Sequence, residues 1–203
     1  MRIGIFGGTF DPPHTGHLLA ASDAFESLAL DRLLWVPAAQ QPLKIGSLGA
    51  SAADRLAMVR HAIGEDRRFE VDAIEIERAG LSFTIDTLGT MAQRFPSDEL
   101  VLLVGADVVA SFGKWRSPRR IVELARLAIL HRVADEGHVE KAALVGAIRA
   151  IAGSDLPAPI VLDTRRVDIS STEIRERVRG GRFLTGFVPD AVARFITERA
   201  LYR

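Results

Sequence analysis

Apolar positions along the chain fall into two alternating patterns. Short runs of strand length occur at Arg2–Phe6 (RIGIF), Arg32–Val36 (RLLWV), Leu100–Val104 (LVLLV), Leu127–His131 (LAILH) and Ile160–Leu162. LVLLV has no polar residue at all, as expected of a parallel strand covered on both faces. Between these runs, apolar residues recur at helical spacing over His17–Leu28, Ala52–Ile63, Ile85–Phe95, Val139–Ile151, Ser171–Arg179 and Asp190–Arg199. Ser82 or Thr84 stands near the start of the third of these, and Pro189-Asp190 opens the last. Phe69–Ile76 reads as a further strand from its Val and Ile content, residues 38–50 as a loop, and KWRSP around Trp115 as a polar loop. The alternation predicts an α/β fold, a mostly parallel sheet with helices on both faces. No unit repeats, and the linker-like Gly153–Pro159 is too short to divide the chain, so residues 1–203 read as a single domain.

Ligands of open parallel sheets sit beyond the carboxyl ends of the strands. The loop after the first strand is GGTFDPPHTGHL, residues 7–18. Gly7 and Gly8 allow a sharp turn and a close backbone approach to a ligand. His14 and His17 lie three residues apart around Gly16. If a helix starts near Thr15, both imidazoles stand at its N-terminus, where free N–H groups and the helix dipole favour an anion. A phosphate site is the first reading. A metal is its rival, but no nearby His or Cys completes a ligand set, and Asp11 is the only carboxylate close by. The dinucleotide pattern G-x-G-x-x-G is absent from this loop.

Composition narrows the chemistry. Lys+Arg and Asp+Glu are both 26, so the net charge is zero and attraction to nucleic acid by bulk charge is not expected. With no cysteine, disulfides, thiolate nucleophiles and thiolate-zinc sites are excluded. No apolar run reaches the ~18 residues of a membrane span, and MRIGIFGG lacks a signal-peptide layout. A cytoplasmic protein with no membrane partner is the expectation.

GGTFDPPHTGHL resembles the G-[ST]-F-D-P-x-H-x-G-H signature of the nucleotidyltransferase α/β-phosphodiesterase superfamily. ISSTEIRERV, residues 169–178, resembles its second signature, I-S-S-T-x-[IL]-R. Further stretches resemble the bacterial nicotinate-nucleotide adenylyltransferases. Val36–Lys44 (VPAAQQPLK) is similar to V-P-x-x-x-x-P-x-K. Glu77–Leu88 (ERAGLSFTIDTL) is close to E-x-x-R-x-G-x-S-[YF]-T-x-D-T-L, shortened before Arg78. Leu103–Asp107 followed by Trp115 resembles G-x-D…W, and Phe187-Val188-Pro189 resembles Y-V-P. Pro13 and Phe83 depart from the more usual aliphatic residue and tyrosine; Phe83 lacks a hydroxyl.

The resemblance implies a Rossmann-like nucleotidyltransferase fold and a reaction. An oxygen of the nicotinate mononucleotide phosphate attacks the α-phosphorus of ATP, giving nicotinate adenine dinucleotide and pyrophosphate. Mg²⁺ would be held mainly by the ATP phosphates, with no metal-binding residues from the protein. The partners are then ATP and nicotinate mononucleotide, and a homo-oligomer is compatible with this reading. His17 is implied as the stabiliser of the α-phosphate, with His14, Lys44 and Arg175 as further phosphate contacts. The backbone of Gly7, Gly8, Thr9 and Phe10 lines the meeting point of the substrates. Ile169, Ser170, Ser171 and Thr172 face the β,γ-phosphates, although Ser followed by Glu also explains itself as a capping box. Arg175 is expected on the first turn of that helix. Gly105 and Asp107 approach the ATP ribose, unless Asp107 is simply a helix N-cap; Arg132 approaches adenine or its phosphates. Lysine is rare, only Lys44, Lys114 and Lys141, which draws attention to Lys44. Ser82, Phe83 and Thr84 are implied to read the nicotinate end. Trp115 would stack on its pyridinium ring or fold back into the core. Pantetheine-phosphate adenylyltransferase and a non-catalytic nucleotide-binding sensor are the alternatives.

Overall fold

The computed structural model describes residues 1–40, 49–132 and 140–203, with Arg132 as backbone only. Six strands, β1 (Arg2–Gly8), β2 (Arg32–Pro37), β3 (Phe69–Val71), β4 (Glu99–Gly105), β5 (Arg126–Arg132) and β6 (Ile160–Thr164), form one sheet in the order β3-β2-β1-β4-β5-β6. Every pairing is parallel. The described helices are α1 (Thr15–Ser27), α2 (Ala52–Ile63), α3 (Ile74–Arg78), α4 (Thr84–Arg94), α5 (Ala106–Val109), α6 (Pro118–Leu124), α7 (Lys141–Ala152), α8 (Ser171–Arg179) and α9 (Asp190–Glu198). None is long and apolar enough to cross a membrane.

Strand periodicity divides the core. Ile3, Ile5, Leu34, Val36, Leu100, Leu102 and Ile129 point to one face and pack under Leu88 and Met91 of α4, Ile121 of α6 and Ile148 of α7. Their neighbours Leu33, Trp35, Val101, Leu103 and Leu130 point to the other, under Ala21 and Ala24 of α1 and Val59 of α2. A third cluster joins Met58 of α2 to Ile174 of α8, Val192 and Ile196 of α9, and Tyr202. It seats the late helices against the early part of the chain. The strand order reverses between β1 and β4, so the loops that follow them part and leave a crevice.

Three expectations are corrected. The strand expected over Phe69–Ile76 ends at Val71. The Asp72 carboxylate accepts the Ile74 N–H (3.0 Å), a local turn that ends the ladder and starts α3. The loop after Trp115 gives way at Pro118 to α6, because Pro at the first helical position has no N–H to lose. The helix expected from Val139 begins at Lys141; Val139 lies outside the described residues.

Asp23 of α1 accepts the Arg165 guanidinium at 2.6 Å, and this bond holds the Asp23 carboxyl below its ordinary value. The stabilisation is present above the usual aspartate range and is lost as pH falls through the lowered folded value. Asp23→Asn should therefore flatten the decline of Tm below about pH 4; an unchanged decline in a pH series of thermal melts would show that the pair contributes nothing.

Candidate active site

The end of β1 supplies bare backbone. A Cβ on Gly7 would meet nothing within 4 Å, and Gly7 lines a cavity of about 360 Å³. A Cβ on Gly8 would come within 2.8 Å of the Phe10 ring. Phe10 is left-handed (φ 51°), which folds the loop back and buries its ring against Phe6 and Trp35. The Thr9 hydroxyl is buried with no hydrogen-bond partner among the described residues.

The loop then delivers both histidines. His14 is the N-cap of α1, which starts two residues before the apolar periodicity indicates, and His17 is its third residue. The His14 backbone N–H donates to Nδ1 of His17 (3.1 Å). That leaves the proton of a neutral His17 ring on Nε2, a donor suited to an anion. The two rings lie 3.6 Å apart, centroid to centroid.

The late signature docks on this loop. Ser170 caps α8 by accepting the Glu173 N–H (3.1 Å), so the capping explanation holds for it. Ser171 Oγ donates to the Pro12 carbonyl (2.8 Å). Arg175 Nη1 donates to the Asp11 carbonyl (2.8 Å), and its Nη2 donates to Thr172 Oγ1 (3.2 Å). Arg175 is the fifth helical residue, in the second turn rather than the first, since α8 begins at Ser171. Ile169 packs against the third apolar cluster. The Phe187-Val188-Pro189 stretch fastens onto the start of α1, where the Thr15 N–H donates to the Phe187 carbonyl (2.9 Å).

Gly7 and Gly8 of β1, Gly105 and Asp107 of the β4 end, and Ser82, Phe83, Thr84 and Trp115 all line the cavity. Gly105, not Asp107, is the N-cap of α5, which leaves Asp107 in the first turn at the cavity wall. Trp115 lines the cavity and leans on Phe112 (5.4 Å) at the edge of the core. Ser82 is tied to the loop after β2, accepting the Ala39 N–H (2.9 Å) and donating its own N–H to Gln40 (2.8 Å). The Phe83 ring carries the Arg116 guanidinium 5.1 Å above it. His14, His17 and the α8 residues are not among the residues that line the cavity. Lys44 and the Arg132 side chain lie outside the described residues.

The cytidylyltransferase-like family model matches residues 5–177. A Gemmatimonas aurantiaca protein named probable nicotinate-nucleotide adenylyltransferase is 52% identical over 203 residues, covering 100% of this chain and 93% of the relative. One of the same name from Thermus thermophilus is 43% identical, covering 100% of both chains. The chain belongs to the nicotinate-nucleotide adenylyltransferase family. Its fold is also that of the Plasmodium falciparum nicotinic acid mononucleotide adenylyltransferase solved in complex with NaAD (TM-score 0.79, 18% identity, 99% of this chain and 97% of that one).

For this adenylyltransferase the structure adds residues that motif reading passed over. Arg55 is fully buried in α2 and donates to the carbonyls of Thr9 (2.8 Å), Ala38 (2.6 Å) and Ala39 (2.8 Å). Burial pulls its pKa down, and the nearby Asp11 carboxylate opposes that. A signal was present: Arg55, Met58, Val59 and Ala62 fall at i, i+3, i+4 and i+7, so an arginine occupies the buried stripe. Glu75 lines the cavity and accepts the Thr87 hydroxyl (2.7 Å), to which Arg78 also donates (3.2 Å). The glutamate of the E-x-x-R pattern is therefore Glu75, not Glu77, and the apparent shortening before Arg78 vanishes. Asp11 is turned inward, accepting the N–H groups of Gly49 (2.8 Å) and Ala50 (3.1 Å) and the Tyr202 hydroxyl (2.7 Å). Burial, reinforced by Asp11, pushes the Tyr202 phenol well up, so it remains a donor.

Proposed function

We propose that this chain joins nicotinate mononucleotide to ATP, releasing pyrophosphate, through the residues assembled around the glycine loop. The observation that carries the reading is the docking of α8 on the first signature: Ser171 and Arg175 donate to the Pro12 and Asp11 carbonyls of the same loop that leads into His14 and His17. The reaction needs two anions brought together, then charge stabilised on the phosphates that leave. Positioning and fixed donors supply most of such catalysis.

Nε2 of His17 donates to the α-phosphate as its charge grows, while His14 and Lys44 hold phosphate oxygens. Ser171, Thr172 and Arg175 meet the β,γ-phosphates, with Ser170 and Ile169 shaping that helix entry and Arg132 near the adenine side. The backbone of Gly7, Gly8, Thr9 and Phe10 borders the reacting atoms. Asp107, beside Gly105, accepts from ribose hydroxyls. The mononucleotide enters the cavity with its pyridine ring against Trp115 and its carboxylate toward the N-terminus of α4 at Phe83 and Thr84, where the dipole favours an anion. Both Asp11 oxygens are engaged by protein donors. With the carboxylate of the histidine-bearing loop already engaged, the arrangement suits a metal held by phosphates and water. Mg²⁺ bound in that way supplies charge neutralisation for the departing pyrophosphate. We assign the reaction to the cytoplasm, where its ATP is.

The deciding experiment is a pyrophosphate assay with ATP, Mg²⁺ and either nicotinate mononucleotide, its amide or phosphopantetheine. Release with the nicotinate form is expected; release with phosphopantetheine alone would move the chain to the pantetheine branch. Trp115→Ala should raise the mononucleotide KM roughly 10-fold, the scale of a lost π contact with a cation, with the ATP KM little changed. Equal changes in both constants would mean a packing role.

A further inference from the structure

Behind the glycine loop, away from the cavity, lies a buried polar cluster that extends to Tyr202, beyond the last helix. Asp11 and Tyr202 are only 3% and 7% exposed. Asp11 Oδ1 accepts from the Tyr202 hydroxyl and the Ala50 N–H, and Oδ2 accepts from the Gly49 N–H. Arg175 approaches the same residue from the α8 side. Its Nη1 is bonded to the Asp11 carbonyl at 2.8 Å but stands 3.9 Å from Oδ2. The guanidinium is thus attracted to the carboxylate without being captured by it. Packing adds a second link: a Cβ on Gly49 would lie 2.9 Å from the Tyr202 ring and 3.1 Å from Cδ of Arg175. Gly49 lets the ring and the arginine stem close on its bare Cα.

A buried carboxylate that loses one donor seeks another, because an unsatisfied buried charge is costly. Among the described residues, the cation that stands within ion-pair reach of the Asp11 carboxylate is Arg175, at 3.9 Å. We infer that Tyr202 is a positioning residue for adenylyl transfer: by occupying Asp11, its hydroxyl keeps the Arg175 guanidinium directed at the triphosphate instead of collapsing onto the carboxylate. This rests on the reading above that Arg175 meets ATP.

Tyr202→Phe removes only the hydroxyl and keeps the ring in its apolar cluster. Its ATP KM should rise roughly 5–20-fold, part of the value of one charged hydrogen bond, while the mononucleotide KM stays within about twofold. In an Arg175→Met background the same change should add less than about twofold, because the two substitutions act on one contact. Gly49→Ala presses a Cβ against the Tyr202 ring and so draws the hydroxyl off Asp11; it should raise the ATP KM selectively too, and it carries the test if Tyr202→Phe does not fold. Equal rises in both KM values, an unchanged ATP KM, or a full-sized effect in the Arg175→Met background would each overturn the assignment. Wild-type protein that releases no pyrophosphate would instead overturn the functional reading, before any variant is compared.

Discussion

His17→Ala should lower turnover by roughly 10²–10³-fold, the scale of losing one donor aimed at charge that develops in the transition state. In the proposed mechanism each ring nitrogen has its own role. Nδ1 accepts the His14 N–H at the start of α1, which orients the ring, and Nε2 carries the proton of a neutral ring. Alanine removes both. The structural loss is limited, because α1 keeps its backbone bonds from the Thr15 N–H to Phe187 and from the His17 N–H to His14. Thermal melts should therefore shift by only a few degrees, and the ATP KM should move less than kcat. Single-turnover measurements at saturating ATP separate the two. Turnover within about threefold of wild type would remove His17 from the mechanism, since a donor acting in the transition state cannot be lost so cheaply.

Arg55→Met should instead reveal itself in stability. Methionine refills most of the volume but offers no donor to the carbonyls of Thr9, Ala38 and Ala39, all bonded to one guanidinium. Buried acceptors left without partners, beside the Asp11 charge, should cost about 3–5 kcal/mol. For a chain of this size that is roughly a 10 °C fall in Tm. Activity should fall as well, because Arg55 ties the glycine loop to the loop after β2, and Ala39 in turn is bonded to Ser82 in the cavity wall. Arg55→Lys should recover little of either loss, since an ammonium lacks the rigid fork that spans the two loops. A melt of the methionine variant within about 2 °C of wild type would show that the carbonyls find other donors.

Much of the architecture is legible in the order of residues. LVLLV reads as a two-sided strand and becomes the inner strand β4, buried from Leu100 to Val104. The loops after strands one and four are where a parallel sheet offers a site, and Gly7, Gly8, Gly105 and Asp107 do share one cavity. The departures arise where local chemistry overrides composition. Ile74 and Ile76 look like strand residues, but Asp72 turns the chain into a helix before them. Pro118 reads as loop by composition yet begins α6.

Asp11, Arg55, Glu75 and Tyr202 show the other limit. Their residue types are visible in the sequence, but what each does depends on which segment it meets. Asp11 and Tyr202 are 191 positions apart, and Arg55 is 46 positions from the carbonyl of Thr9. The amino-acid sequence alone determined the periods of the strands and helices and the short-range chemistry of the two signatures, because these depend on neighbours a few residues away. Only the tertiary structure decided that Asp11 faces inward, that Arg55 joins two loops and that Tyr202 reaches Asp11. Burial and hydrogen-bond partnership are properties of contacts, and those contacts exist only once the sheet has closed and the late helices have docked on it.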